Sequence, residues 1–126
     1  MEAALSRKTI LIVDDSPENI DMLHGILSIN FRTKFALNGE KALEIASKNP
    51  PDLILLDIIM PGIDGYEVCR QLKSEDKTKK IPVIFITAKD GAKDEERGLK
   101  LGASAYIRKP FTASAVLQMV KKYLAL

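Results

Sequence analysis

Five residues with reactive side chains stand directly after short runs that read as strands. Asp14 and Asp15 follow Ile10-Leu-Ile-Val13, Asp57 follows Leu53-Ile-Leu-Leu56, Thr87 follows Val83-Ile-Phe-Ile86, and Lys109 follows Ala105-Tyr-Ile-Arg108. In an open parallel sheet the C-terminal ends of the strands line one crevice, where such folds bind ligands, so these residues would converge on one acidic pocket. Three carboxylates in one pocket repel, and without a counter-ion at least one has its pKa raised and takes up a proton. A hard divalent cation resolves the repulsion. Magnesium suits such a site because it accepts a few carboxylate oxygens, keeps several waters and completes its shell with a phosphate oxygen. A carboxylate can also act as nucleophile and form an aspartyl phosphate. Lys109 would supply a point charge for phosphoryl oxygens and Thr87 a hydroxyl donor. Phosphoryl transfer depends mainly on positioning and charge neutralisation, so this short set of groups is chemically sufficient.

Each residue taken singly has an ordinary structural explanation. Asp14 and Asp15 could cap a helix, Asp57 could open the turn before Pro61-Gly62, and Lys109 could be a surface lysine. Taken jointly those explanations fail, because four separate loops would have to bring these residue types to one end of a sheet by accident.

The elements that must position these groups alternate. Apolar runs of four or five residues are separated by longer stretches with helical spacing, the pattern of repeated βα units and a parallel sheet. Strands are predicted at about Thr9 to Val13, Thr33 to Leu37, Leu53 to Leu56, Pro82 to Ile86 and Ala105 to Arg108. Helices are predicted at about Pro17 to Ser28, Glu40 to Lys48, Gly65 to Ser74, Lys93 to Leu101 and Ala113 to Leu124. Ser16-Pro17 offers an N-cap followed by proline at the first helical position, and Thr112 can cap the last helix. Asn38-Gly39 and Pro61-Gly62 read as turns. The first, third and fourth strands are apolar throughout and belong inside the sheet, whereas the second and fifth mix polar and apolar residues as edges do. This pattern leaves the order of the inner three open.

Composition narrows the class. A chain of 126 residues with 46% hydrophobic and 29% charged residues suits one globular unit, read as a tail over residues 1–8 and a domain over 9–126. No apolar run approaches the roughly 18 residues that span a bilayer, and the N-terminus lacks a signal-peptide core, so a cytoplasmic protein without membrane contact is expected. The net charge of +2 is too small to argue for nucleic-acid binding. The lone Cys69 reads as a small buried hydrophobe, His24 as a surface or boundary residue, and Ser74-Glu-Asp-Lys-Thr-Lys-Lys80 as a solvated loop.

From about Lys8 to Tyr123 the sequence resembles the receiver domains of two-component response regulators. The blocks that carry the resemblance are Ile10-Leu-Ile-Val-Asp-Asp15 with Ser16-Pro17, Leu53-Ile-Leu-Leu-Asp57 with Met60-Pro-Gly-Ile-Asp-Gly65, Ile84-Phe-Ile-Thr-Ala88, and Gly102-Ala-Ser-Ala-Tyr-Ile-Arg-Lys-Pro-Phe111. The resemblance implies a flavodoxin-like doubly wound (βα)5 fold with strand order 2-1-3-4-5. It implies that Asp57 is the phosphoacceptor. Asp14, Asp15, Asp57 and the Ile59 backbone carbonyl would serve magnesium, with manganese able to substitute and Asp15 the more direct ligand. Thr87 and Lys109 would bind the phosphoryl group, Thr87 and Tyr106 would act as the switch, Lys109-Pro110 would be a cis peptide, and Ile59 and Lys89 would flank the path of an attacking water.

The implied role is a phosphorylation-dependent switch that assists its own phosphorylation and slow dephosphorylation, not a turnover enzyme. The implied partners are a sensor histidine kinase or phosphotransfer protein and a downstream output domain or protein. The fourth helix, fifth strand and fifth helix would present the changed surface, and a phosphorylation-dependent homodimer is compatible with it. A receiver segment of a larger hybrid kinase or multidomain regulator would carry the same residues. An aspartyl-nucleophile phosphatase would need a second acid two residues after the nucleophile, where this chain has Ile59. A flavodoxin-like nucleotide carrier would need a Gly-rich phosphate loop, and neither G-x-G-x-x-G nor G-x-x-x-x-G-K occurs.

Overall fold

The computed structural model describes residues 7–88 and 91–125. Strands β1 (Thr9–Val13), β2 (Arg32–Ala36), β3 (Leu53–Leu56), β4 (Val83–Thr87) and β5 (Ala105–Arg108) alternate with helices α1 (Pro17–Leu27), α2 (Gly39–Lys48), α3 (Gly65–Ser74), α4 (Ala92–Lys100) and α5 (Ala113–Tyr123). All strand pairs are parallel and the order is β2-β1-β3-β4-β5, so the mixed-composition strands are the edges, as expected.

Successive residues of a strand point to opposite faces, and the three inner strands therefore feed two cores. On one face Leu11, Val13, Ile54, Leu56, Val83 and Phe85 pack with Ala42 and Ala46 of α2 and Val68, Cys69 and Leu72 of α3. On the other, Ile10, Ile12, Leu53, Leu55, Ile84 and Ile86 pack with Ile20, Leu23 and Leu27 of α1 and Val116 and Val120 of α5. This two-sided burial is why those strands are apolar at every position. Cys69 is fully buried, and burial pushes its thiol up to about 11, so it is an unreactive core residue. His24 is exposed, 2.7 Å from the Thr33 hydroxyl and edge-on to Phe35.

Several expectations shift. β2 begins and ends one residue earlier than predicted, leaving Leu37 beyond the strand and half exposed, and β4 starts and ends one residue later, so Thr87 is its last residue. Asn38-Gly39 is a helix start and not a free turn, for the Asn38 side chain accepts the Lys41 N–H at 2.8 Å and Gly39 opens α2. Within the solvated 74–80 loop Thr78 is buried, and its hydroxyl donates to the Leu72 carbonyl at 2.6 Å. Residues 1–6 lie outside the described residues. Arg7 joins the domain, donating to the carbonyls of Ser28 (2.7 Å) and Ile29 (2.5 Å) just past α1. Among the described residues no helix is long and apolar enough to cross a membrane.

Candidate functional site

Sheet register assembles the site. Val13 pairs with Leu56, so the next residues, Asp14 and Asp57, leave adjacent strands side by side. Backbone bonds continue the ladder past the strand ends: the Asp57 N–H donates to Val13 O (2.9 Å) and the Asp14 N–H to Ala36 O (3.1 Å). Thr87 ends the neighbouring strand, and the Lys109 N–H donates to its carbonyl at 2.9 Å, which brings the fifth strand's lysine to the same rim. Lys109-Pro110 is a cis peptide.

The carboxylates of Asp14, Asp15 and Asp57 each bring an oxygen within 4.8 Å of the others. Asp14 and Asp57 are buried, Asp15 is exposed, and Thr87 has no exposed surface. Asp14 is fully engaged. Its Oδ1 accepts the Ser16 N–H at 2.9 Å, and its Oδ2 accepts from Asn19 Nδ2 and Lys109 Nζ, both at 3.2 Å. Asp57 divides its oxygens: Oδ1 accepts the N–H groups of Ile58 (2.8 Å) and Ile59 (3.4 Å), and Oδ2 faces Lys109 Nζ at 3.5 Å. Burial raises the Asp57 pKa above the ordinary carboxylate range. The Lys109 ammonium opposes that shift, the Asp14 charge reinforces it, and hydrogen bonds from the Thr87 hydroxyl and the Ile59 N–H pull the other way.

Among the described residues, three carboxylates face the Lys109 ammonium in an acidic cluster whose charge is under-compensated, and such a cluster takes up either a proton or a cation. The donor set suits a hard divalent ion. Oxygens on opposite sides of magnesium lie about 4.2 Å apart, so modest side-chain adjustment lets these groups share one.

Of the other residues singled out in the sequence, Ile59 is 54% exposed beside Asp57, and Lys89 lies outside the described residues. Tyr106 is half-buried on β5 opposite Phe85, with ring centroids 6.2 Å apart, and burial pushes its phenol up to about 12.

Two contributors were assigned no role in the site from the sequence. Asn19, in the first turn of α1, reaches Asp14 only because the cap at Ser16 sets where that helix begins; its hydroxyl accepts the Asn19 N–H at 3.4 Å. Gly65 opens α3 directly against the Asp57 loop, donating its N–H to Ile58 O at 2.9 Å. A Cβ there would strike the Asp57 carbonyl oxygen and lie 2.7 Å from Ile58 Cα. The Asp-Gly pair ahead of a helix was the available signal, since glycine is the residue that permits a close backbone approach.

Residues 10–121 match the response regulator receiver domain family. The chain belongs to that family. Among its relatives is a probable cyclic di-GMP phosphodiesterase of Vibrio cholerae, 47% identical over 120 residues, which cover 95% of this chain and 27% of the relative. The chain thus spans about a quarter of that relative's length. The crystal structure of a putative response regulator from Chloroflexus aurantiacus superposes with a TM-score of 0.91 at 34% identity, covering 96% of this chain and 100% of that one. The receiver domain of a sensor histidine kinase from Pseudomonas aeruginosa superposes with a TM-score of 0.88 at 27% identity, covering 96% and 100%, and has a magnesium ion coordinated in its active-site cleft. Receiver domains bind magnesium in an acidic site of this kind and communicate with histidine kinases and output domains.

Proposed function

We propose that this receiver takes a phosphoryl group on Asp57 Oδ2 from the phosphohistidine of a sensor kinase or phosphotransfer protein and signals by the resulting change of surface. The observation that carries this reading is the asymmetry of the Asp57 carboxylate. One oxygen is tied to backbone N–H groups, while the other faces the Lys109 ammonium at 3.5 Å. In the transfer the donor P–N bond breaks as a P–O bond forms to Oδ2, and the imidazole leaves with the bonding pair and takes a proton from solvent. Lys109 and the Thr87 hydroxyl would receive the phosphoryl oxygens.

Magnesium, when bound, would neutralise the carboxylates and the incoming dianion. Asp14, Asp15, Asp57 and the Ile59 carbonyl would hold it, with manganese able to substitute. Asp15 would be the more direct ligand, because it is exposed whereas both oxygens of Asp14 already accept hydrogen bonds. Hydrolysis of the acyl phosphate by water would return the carboxylate and end the signal. Thr87 and Tyr106 would carry the switch to α4, β5 and α5, the surface that would meet an output domain or a second copy. The cytoplasm, where sensor kinases present their phosphohistidine, is the compartment this role requires.

The test is incubation with acetyl phosphate or phosphoramidate, followed by mass spectrometry. One phosphate should be gained with magnesium, none in excess chelator and none in Asp57→Asn. Undiminished labelling of that variant would sink the assignment.

A further inference from the structure

Helix α4 is attached differently from the other four. Ser16, Asn38, Asp64 and Thr112 each cap a helix through a side chain, but α4 starts at Gly91 without a side-chain cap. Gly98 is its one buried residue. One side chain that reaches its first turn is Tyr66, the second residue of α3. The Tyr66 hydroxyl lies 3.1 Å from the Asp94 carbonyl oxygen and 3.3 Å from Asp94 Oδ1. Its ring lies beneath the Arg97 guanidinium at 4.1 Å and edge-on to Phe85 at 5.7 Å, and Phe85 in turn contacts Tyr106.

Two arms leave the acceptor site and meet again at this tyrosine. One runs from Asp57 through Ile58, which accepts the Gly65 N–H, into α3 and Tyr66. The other starts at Thr87, hydrogen-bonded to Asp57 at the end of β4, the strand that precedes α4 and Asp94 in the chain. We propose that Tyr66 is a positioning residue that clasps α4 to α3 in the unphosphorylated protein and lets go when Asp57 is phosphorylated. The inference rests on the acceptor reading above. A phosphoryl group on Asp57 draws the Thr87 hydroxyl, and with it the start of the segment leading to α4, while α3 stays anchored by its buried Val68, Cys69 and Leu72. The relative displacement falls on the bond between the arms. That bond is a single hydroxyl shared between two oxygens of Asp94.

Tyr66→Phe removes the hydroxyl and keeps the ring under Arg97 and against Phe85. If the clasp holds the resting state, its loss favours the activated one. The probe is beryllofluoride with magnesium, titrated calorimetrically into the purified chain. Tyr66→Phe should bind it about five-fold more tightly, the equivalent of about 1 kcal/mol and the size of one neutral hydrogen bond. Asp94→Ala, which removes half of the clasp, should move the affinity in the same direction by less. Amide exchange in the first turn of α4 should be faster in Tyr66→Phe without ligand, and faster in the parent with beryllofluoride than without. Unchanged or weaker binding by both variants overturns the proposal, since a merely structural tyrosine would lower the melting temperature without tightening binding. If the parent binds no beryllofluoride, or Asp57→Asn binds it equally well, the acceptor reading itself fails and takes the clasp with it.

Discussion

Replacing Lys109 with methionine tests how the site is balanced before any phosphoryl group arrives. Lys109 Nζ lies 3.2 Å from Asp14 Oδ2 and 3.5 Å from Asp57 Oδ2, where the aspartate side chains are 4% and 8% exposed and the lysine 20%. At an effective dielectric near 20, each attraction is about 5 kcal/mol before desolvation. Removing one partner of a buried pair typically costs about 3 to 5 kcal/mol. The lower end applies here, because Asp57 can escape by binding a proton: burial already raises its pKa and Lys109 is the main opposing influence. Losing that ammonium raises the pKa further. An aspartate whose folded pKa exceeds its unfolded one holds a proton in the native state after the unfolded chain has lost it. Stability is therefore greatest in acid and falls as pH rises through the folded pKa, in a window that opens just above the unfolded value of about 3.9. Without divalent ions, Lys109→Met should nearly match the parent at about pH 4 and be about 3 kcal/mol less stable at about pH 8. In a melt followed by circular dichroism that deficit is a drop of roughly 10 °C. Magnesium should stabilise the variant more than the parent, since it would supply the missing positive charge to the native state alone. A deficit under about 1 kcal/mol at the higher pH, or one that grows in acid, would refute the reasoning.

Two other substitutions probe the same loop. Gly65→Ala forces a Cβ onto the Asp57 carbonyl and within 2.7 Å of Ile58 Cα, so it should destabilise the fold by at least about 1 to 3 kcal/mol and slow phosphorylation by acetyl phosphate; a melt and a labelling rate equal to the parent's would show that the loop has slack. Ile59 offers a water approaching the acyl phosphate no hydrogen bond, so Ile59→Asn should shorten the phosphoryl lifetime several-fold, measured as loss of the phosphate mass with time, and an equal or longer lifetime would remove position 59 from that role.

The sheet was legible because its signals are local and redundant. An inner strand such as Leu53-Ile-Leu-Leu56 is buried on both faces and must be apolar at every position, so burial writes itself into consecutive residues. The one-residue offsets in β2 and β4 arose where that signal is weak. An edge strand tolerates Arg32 or Leu37 equally, and Pro82 accepts a bond from Ile54 through its carbonyl while having no N–H to donate. The converging residues were legible because parallel topology sends every strand end to one rim. What escaped were contacts between elements distant in sequence. Asn19 reaching Asp14, Thr78 turning inward to Leu72, and Tyr66 reaching Asp94 depend on helix phase and loop path, which no spacing rule encodes.

The helices also differ in how firmly they are seated. Burying a leucine- or isoleucine-sized side chain contributes about 1.5 to 3 kcal/mol, so Ile20, Leu23 and Leu27 hold α1 with several kcal/mol, and α3 buries Tyr66, Val68, Cys69 and Leu72. Helix α4 buries only Gly98, which has no side chain to contribute. Its attachments include the Tyr66 hydroxyl, worth about 1 kcal/mol, the Arg97 guanidinium over the Tyr66 ring at 4.1 Å, and an exposed Glu95–Arg108 ion pair at 3.2 Å, a class worth about 0 to 1 kcal/mol. Gly98 also makes this seat directional: a Cβ there would meet the Phe85 ring at 2.8 Å, so α4 rests closely on the aromatic that Tyr66 and Tyr106 both touch. An equilibrium moves from about 1:99 to 99:1 for about 5.5 kcal/mol. A charge of about −2 at a phosphorylated Asp57 would act on that scale if Lys109 and Thr87 answered it at close range. That would be enough to shift an element held mainly by surface contacts, and too little to lift α1 or α3 from the core. Elements that move belong to the least stable part of a fold, and α4, which starts without a side-chain cap and buries a glycine where the others bury side chains, is the element suited to that part.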